Sequence, residues 1–244
     1  LATQTAASLA FATVDPDVRV AWQALNSCRG GTNTLVTTDC EGWRRNHDNV
    51  SNAINKFTGT HKQNFYNWLF QLPTDNSTPL PTAMRRVGQY YSLNTGATSP
   101  YNDTPGVDGS SQLVCRRNYH VMMTDGIWNT AYDIGGNRDG ATNLALPETV
   151  LGVNAYSARD PYSDAWSNTL ADMAFAYWAT DLSPLLGNEL LPSIKDPTGT
   201  ESERFWNPRN DPATWQHMVN FTIGLGLSGS SSSRTTQRMN RNPP

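Results

Sequence analysis

The chain has 244 residues, of which 37% are hydrophobic and 16% charged, and its formal net charge is −3. This length is enough for one large domain or two small ones, and the slightly negative charge excludes the basic surface that nucleic-acid binding requires. No apolar stretch approaches the roughly 20 residues that cross a bilayer, so we expect no membrane span. Because no signal peptide is visible and the first residue is not Met, we expect a segment processed from a longer chain.

Helical periodicity marks five segments. Residues 1–12 are predicted to form a helix that is already under way at the first residue. Apolar residues spaced three and four apart predict further helices around residues 50–57, 65–72, 80–91 and 170–178. Pro79 and Pro81 stand at the first turn of the helix at 80–91, where proline is tolerated.

Short strand-like runs lie between these helices. Residues 18–25 alternate apolar and polar side chains, and residues 34–38 follow closely enough to form a hairpin with them. Residues 118–124 and 218–227 are apolar and are bounded by turn residues. Helices that alternate with short buried strands predict an α/β layered fold with a mostly parallel sheet.

Two long stretches and the tail have no regular pattern. Residues 129–165 are rich in Gly, Asn and Asp, and residues 183–214 contain five prolines. Insertions of this length in a compact domain are usually functional or mobile. Residues 230–244 are Ser-rich, with three arginines and no acidic residue, which predicts a linker or tail.

The three cysteines allow one disulfide and one free thiol. Cys28 and Cys40 bracket a Gly- and Thr-rich segment that a disulfide could close, and such a bond would contribute roughly 3 kcal/mol through loop entropy. A metal site is the weaker interpretation, since no CxxC or HxxxH spacing accompanies these cysteines. The pattern favours an oxidising compartment, and for Cys115 we favour a buried small hydrophobic side chain.

The apolar run at 118–124 ends abruptly at Asp125 and Gly126. Ligands of open α/β sheets bind at the carboxyl ends of the strands, and Gly126 permits both a sharp bend and the close approach of a partner. Thr78 directly precedes a predicted helix, so its hydroxyl either caps that helix or joins the Asp125 carboxylate as an oxygen ligand of a small, hard cation. A plain Asp-Gly turn is the alternative for Asp125.

Four segments carry a resemblance to a known family: TPLPTAMRRVGQYY, CRRNYHVMMTDGIWN, TLADMAFAYWATDL and WQHMVNFTIGLGLSG. In this order they resemble the von Willebrand factor A domain of PilY/PilC-type proteins, which are tip-associated adhesins and assembly factors of bacterial type IV pili. The resemblance covers roughly residues 1–229. It implies a Rossmann-like domain with a mostly parallel central sheet, flanking helices and long loop insertions.

The resemblance also implies a metal-ion-dependent adhesion site. Thr78 and Asp125 map onto its second and third loops, where they would hold a divalent cation (Mg²⁺, Mn²⁺ or Ca²⁺). An acidic group of a partner would complete the coordination. Gly126 and Trp128 would belong to the rim around the bound ligand.

This sequence departs from the family at the first loop, because Asp-x-Ser-x-Ser and the strand before it are missing. In the family that strand lies between those at residues 18–25 and 118–124. Unpaired N–H and C=O groups at two buried edges would be costly, so we expect another segment, or a strand from a partner, to fill the gap. With Thr78 and Asp125 alone a cation would be held weakly, so metal binding is predicted for the intact domain.

The resemblance implies an extracellular or cell-surface protein at the pilus tip, secreted through the periplasm, that binds partners and is not an enzyme. Its partners would be minor pilins or other pilus tip proteins, and a host or surface ligand with an acidic group. A metal-free structural cap that packs on minor pilins is the alternative, with Asp125 only stabilising a turn. A secreted α/β hydrolase is a distant third, since no GxSxG, HExxH or triad spacing is present.

Two other groups of residues have ordinary interpretations. Asp133 and Asp139 could hold Ca²⁺ in a Gly-rich loop, but their spacing fits no EF-hand and we favour a solvated surface turn. His120 lies inside a predicted strand and is expected to be a hydrogen-bonded core or edge residue.

Overall fold

The computed structural model describes residues 2–25, 28–29, 35–36, 52–72, 78–124, 126, 128 and 133–225, with residues 28–29 and 35–36 described by backbone alone. The chain divides into two compact units. Unit 1 comprises Leu1–Thr78 and Thr95–Gln112, and unit 2 comprises Pro79–Asn94 and Leu113–Pro244. Helices and strands occur in both units, which confirms the predicted α/β composition.

Unit 1 has two helices and two short strand pairs among its described residues. Its elements are α1 (Ala2–Ala12), β1 (Arg19–Val20), β2 (Cys28–Arg29), β3 (Leu35–Val36), β4 (Asn55–Lys56) and α2 (Gly59–Gln71). Strand β1 pairs antiparallel with β4, and β2 pairs antiparallel with β3. The predicted helices at residues 1–12 and 65–72 are confirmed as α1 and α2.

The predicted helix at residues 50–57 is wrong. This stretch contains β4, and the Phe57 N–H donates to the Val18 carbonyl oxygen at 2.8 Å. The Phe57 ring is fully buried and contacts the rings of Phe11 and Phe65 at centroid distances of 5.7 and 5.3 Å. The spacing of Val50, Ala53, Ile54 and Phe57 is that of a helical face, but Phe57 reaches the core from an extended segment.

The predicted hairpin between residues 18–25 and 34–38 is also wrong. Only Arg19–Val20 forms a strand in the first run, and its partner is β4, whereas β3 pairs with β2. The prediction paired two runs that are close in sequence, whereas β1 pairs with the more distant β4.

Unit 2 carries the longer strands. Its elements are α3 (Leu80–Tyr91), β5 (Asn118–Thr124), β6 (Leu144–Val150), β7 (Val153–Tyr156), α4 (Leu170–Ala179), α5 (Glu201–Phe205) and β8 (Met218–Gly224). The predicted helices at 80–91 and 170–178 and the predicted strands at 118–124 and 218–227 are confirmed, and β8 ends at Gly224.

Strands β5 and β8 pair in parallel from Asn118↔Met218 to Thr124↔Gly224. Helix α4 packs against β8 and α3, and α3 also contacts β5. The Tyr91 hydroxyl, in the last turn of α3, donates to the Tyr119 carbonyl oxygen at 2.9 Å. The C-terminus of α3 therefore lies beside the beginning of β5.

The β5–β8 pair has one covered face and one open face. Met122 and Met218 are buried on the covered side. On the opposite side Tyr119, Val121, Phe221 and Ile223 are 51, 56, 52 and 43% exposed. We call these four residues the exposed sheet face. Strands of parallel sheets are normally covered on both sides, so this surface is an exception within the described structure.

Of the four strand pairs described, only β5–β8 is parallel. Residues 19–20 and 118–124 lie in separate two-stranded sheets among the described residues. The additional central strand, the von Willebrand factor A topology and the domain bounds of 1–229 and 230–244 stay predictions. Residues 226–244 lie outside the described residues.

Residues 129–165, predicted to be irregular, contain the antiparallel β6–β7 hairpin. Its turn is formed by Leu151 and Gly152, with φ of 48° and 70°, as in the tight turns that suit hairpin twist. Leu146 and Tyr156 of this hairpin belong to a buried core cluster with Ala179, Phe205, Ala213 and Trp215. The described part of this stretch, residues 133–165, therefore forms a layer of unit 2.

Candidate functional site

The carboxyl end of β5 closes in a tight turn. Thr124 is buried, and its hydroxyl oxygen accepts a hydrogen bond from the Gly126 N–H at 3.1 Å. Gly126 has φ of 97°, a conformation that residues with a Cβ rarely adopt. The Leu225 N–H donates to the Thr124 carbonyl oxygen at 2.8 Å, so the ends of β5 and β8 are tied together. The glycine after the strand thus serves the backbone turn.

The predicted metal ligands are only partly described. Asp125 lies outside the described residues, and Trp128 is half-buried. Thr78 is half-buried and precedes Pro79, which takes the N-cap position of α3. Thr78 is therefore not the N-cap residue. The approach of its hydroxyl to the Asp125 carboxylate stays a prediction.

Threonine and aspartate oxygens suit a hard cation, but two protein ligands fall well short of the six positions around Mg²⁺. Within the described part of the chain, no group of three or more His, Cys, Asp or Glu side chains is placed to hold a metal ion. Metal binding consequently stays a prediction for a domain completed by the missing first loop.

None of the helices in the described ranges is long and apolar enough to cross a membrane.

The predicted disulfide falls largely outside the described residues. Cys28 belongs to β2 by its backbone, and neither its side chain nor Cys40 is described. Cys115 is a free and exposed cysteine, so the buried interpretation is wrong. It lies in a turn before β5, followed by Arg116 and Arg117, and this polar neighbourhood was the signal against burial.

A partly buried charged cluster at the base of β8 was not predicted. The Asp211 carboxylate accepts from Arg117 Nη1 at 3.1 Å and from Trp178 Nε1 at 3.4 Å, and it lies 3.1 Å from His217 Nε2. The other ring nitrogen of His217 lies 2.8 Å from the Trp215 carbonyl oxygen. Both ring nitrogens are thus engaged, so this His–Asp pair holds structure together and offers no general base to a nucleophile. His120, as expected, is hydrogen-bonded in its strand, to the Asn220 side chain at 2.8 Å.

The solvated-turn interpretation holds for Asp133 and is wrong for Asp139. Asp133 is exposed, and its carboxylate accepts from the Gly135 N–H at 2.9 Å. Asp139 has no exposed surface and packs beside the buried Asp172. The Gly and Asn content of the loop had suggested exposure, but hydrogen bonds to α4 draw Asp139 inside.

Comparisons with known proteins identify relatives from one species. The chain is 45% identical over 233 residues, covering 94% of the chain and 18% of the relative, to the type IV pilus biogenesis factor PilY1 of Pseudomonas aeruginosa strain PAK. It is 43% identical over 231 residues to PilY1 of strain PAO1, covering 94% of the chain and 19% of the relative. It is 44% identical over 228 residues to PilY1 of strain UCBPP-PA14, covering 93% of the chain and 18% of the relative.

No protein-family profile and no solved structure matches the chain. The chain spans about a fifth of the length of the curated relatives it matches. Over nearly all of its own length, therefore, this sequence is similar to one part of proteins named type IV pilus biogenesis factors.

Proposed function

We propose that this chain is a partner-binding domain of a type IV pilus biogenesis factor and acts at the pilus tip on the cell surface. Its similarity of 43–45% identity to the PilY1 proteins is the observation that carries the proposal. The domain is a binding module and not an enzyme. In the intact protein, Thr78 and Asp125 hold a divalent cation whose open position is filled by an acidic group of the partner.

The fold supports this location for the site. The carboxyl ends of β5 and β8 meet at one edge, which is where open α/β sheets bind their ligands. Because the last turn of α3 contacts the beginning of β5, a helix that runs antiparallel to the strand would direct its N-terminus toward the same edge. The buried turn at Gly126 brings the backbone close to this edge without a side chain in the way.

Calorimetric titration of Mg²⁺, Mn²⁺ and Ca²⁺ into the intact protein tests the adhesion site. We expect Asp125→Ala to abolish the binding heat of the wild type. Asp133→Ala is the matched control, because Asp133 is exposed and its carboxylate accepts from the Gly135 N–H in its own turn. Equal heats for wild type and Asp125→Ala would reject the metal site.

A second candidate, the metal-free cap on minor pilins, is favoured by the exposed sheet face. Four large apolar side chains in register on two strands form the kind of patch that commonly marks a protein-binding surface. The Tyr119 and Phe221 rings already contact each other, with centroids 6.2 Å apart. An apolar surface of a pilus tip protein would cover them without any cation.

The double variant Val121→Lys/Phe221→Lys tests the cap. Its control is Leu185→Lys/Leu191→Lys, at two leucines exposed by 75 and 76% elsewhere in unit 2. If the cap candidate is right, the first variant loses pilus assembly in a strain that depends on this protein, while its ion-binding heat is unchanged. Assembly at wild-type level in a folded Val121→Lys/Phe221→Lys protein would exclude the cap.

A further inference from the structure

The loop at residues 133–140 contains a buried acid that the proposed function does not use. Asp139 has no exposed surface. Its Oδ1 accepts from the Asp164 N–H at 3.1 Å, but its Oδ2 is buried and has no hydrogen-bond partner among the described residues. Leaving a buried, charged oxygen unsatisfied is costly, so the environment of Oδ2 disfavours the ionised form.

A second carboxylate beside Asp139 is fully satisfied. Asp172 Oδ1 accepts from the N–H groups of Arg138 and Asp139 at 2.6 and 3.2 Å. Asp172 Oδ2 accepts from the Thr169 N–H and hydroxyl at 2.9 and 2.8 Å. Four donors therefore satisfy both oxygens of Asp172, which leaves none of these donors for Asp139.

The charged residues around Asp139 lie on α4, in the loop before α4 and in the 133–140 loop itself. Asp172 lies on α4, and Asp164 lies in the loop before that helix; both are acids. Of the basic residues nearby in the chain, the Arg138 side chain lines two cavities, and the Arg159 guanidinium lies over the Trp206 ring, 4.7 Å from its centroid. Neither forms an ion pair with Asp139 in the described part of the chain.

A proton on Asp139 would neutralise this acid and remove the repulsion. Burial raises the pKa of Asp139 to about 6; the Asp164 N–H opposes that rise, and the charges of Asp172 and Asp164 add to it. This value lies between mildly acidic and neutral pH, so the protonation state of the buried carboxyl depends on the pH of the surroundings.

Asp139 also joins the loop to its neighbours. The Tyr156 hydroxyl, on β7, donates to the Asp139 carbonyl oxygen at 2.5 Å. The same loop supplies Asp133, Ile134 and Arg138 to the wall of a cavity of about 390 Å³ beside α4. Arg138 and Ala176 also line an adjoining cavity of about 270 Å³.

We propose that Asp139 acts as a proton-operated clasp: with its buried carboxyl protonated, the 133–140 loop stays closed against α4 through the Arg138 and Asp139 N–H groups that donate to Asp172, and ionisation of Asp139 loosens the loop. The clasp would change the shape of the two cavities that the loop borders. It is independent of the metal site, because it requires neither Thr78 nor Asp125.

The direction of the pH dependence follows from the raised pKa. The stabilisation of the closed loop is fully present below the ordinary value of 3.8 and is lost progressively as the pH rises to about 6. If Asp139 has its ordinary pKa in the open loop, the opening equilibrium should increase about tenfold between pH 5 and pH 7.5.

Amide hydrogen exchange across residues 133–140 tests the clasp in the full chain, after correction for the intrinsic rate at each pH. We expect the tenfold increase in opening for wild type and no such change for Asp139→Asn. Asp133→Asn, on the same loop but exposed, should behave as wild type. An Asp139→Asn protein with the wild-type pH dependence would overturn the proposal.

A direct titration removes the dependence on a folded variant. Carbon NMR of the aspartate carboxyl groups in the wild-type protein should show Asp139 titrating near pH 6. Titration of Asp139 near its ordinary value would mean that water satisfies Oδ2, and the clasp would be rejected whether or not Asp139→Asn folds.

Discussion

The contact between α3 and α4 makes Gly88→Ala the most informative substitution in unit 2. A Cβ on Gly88 would lie 2.1, 2.2 and 2.6 Å from Cζ, Cε1 and Cε2 of the Tyr177 ring. Carbon atoms in contact are separated by about 3.5 Å or more, so the ring or the helix must move by about 1.4 Å. The Tyr177 hydroxyl also donates to the Arg85 carbonyl oxygen at 3.3 Å, and a displaced ring would lose this bond.

Two opposing effects set the magnitude. Overpacking of this severity costs up to about 3 kcal/mol. Replacing a helical glycine with alanine raises the free energy of unfolding by about 1 kcal/mol through backbone entropy. The free energy of unfolding of Gly88→Ala should therefore fall by about 2 kcal/mol.

Urea unfolding of a double-mutant cycle provides the assay. In a Tyr177→Ala background the steric conflict is gone, so adding Gly88→Ala should stabilise the chain by about 1 kcal/mol. The sign of the effect thus reverses between the two backgrounds. Gln89→Ala, on the exposed side of the same helix, is the control and should change stability by less than about 0.5 kcal/mol. Equal effects of Gly88→Ala with and without Tyr177 would refute the packing argument.

Three further predictions follow from other parts of the structure. Asp172→Ala should lower the free energy of unfolding by about 3 kcal/mol, since it removes a capping box and leaves the buried Thr169 and the Asp139 N–H without their acceptor; urea unfolding measures this. Burial alone would raise the pKa of Asp211, but hydrogen bonds from His217 and Trp178 and the charge of Arg117 lower it below its ordinary value. The stability that this carboxylate contributes is therefore present above its ordinary pKa and is lost as the pH falls through the lowered value. The stability difference between wild type and Asp211→Asn should accordingly shrink on acidification, and a constant difference from pH 6 to pH 3 would contradict this. Finally, a thiol reagent should modify one cysteine per native chain and none in Cys115→Ser, whereas three reactive thiols would rule out the Cys28–Cys40 disulfide.

Strand β5 was predictable from the sequence, but its pairing partner was not. An apolar run that ends in a turn predicts a buried strand and its boundary; the strand and its end are found at Asn118–Thr124, but only one of its faces is buried. The identity of its partner could not be read in this way, because β8 begins about a hundred residues later in the chain. The Asp125 carboxylate stays a predicted ligand, because a local sequence pattern does not show which side chains face it in the folded chain.

Buried polar groups were the least predictable feature. Asp139 and Asp211 stand in Gly-, Asn- and Pro-rich stretches that are typical of exposed loops, yet Asp139 is fully buried and the Asp211 carboxylate is only 20% exposed. Each is drawn inward by donors that are distant in sequence, such as Arg117 for Asp211. Composition reflects the average tendency of a segment and not the hydrogen bonds of one side chain.

The sequence by itself determined the α/β class, four of the five predicted helices, the strands β5 and β8 and the similarity to pilus biogenesis factors, because each depends on local periodicity or on a run of residues. Tertiary structure alone decided that Phe57 belongs to an extended segment, that β5 pairs with β8, and that Asp139 lies inside. These outcomes depend on contacts between residues far apart in the chain, where burial and hydrogen bonding outweigh local preference.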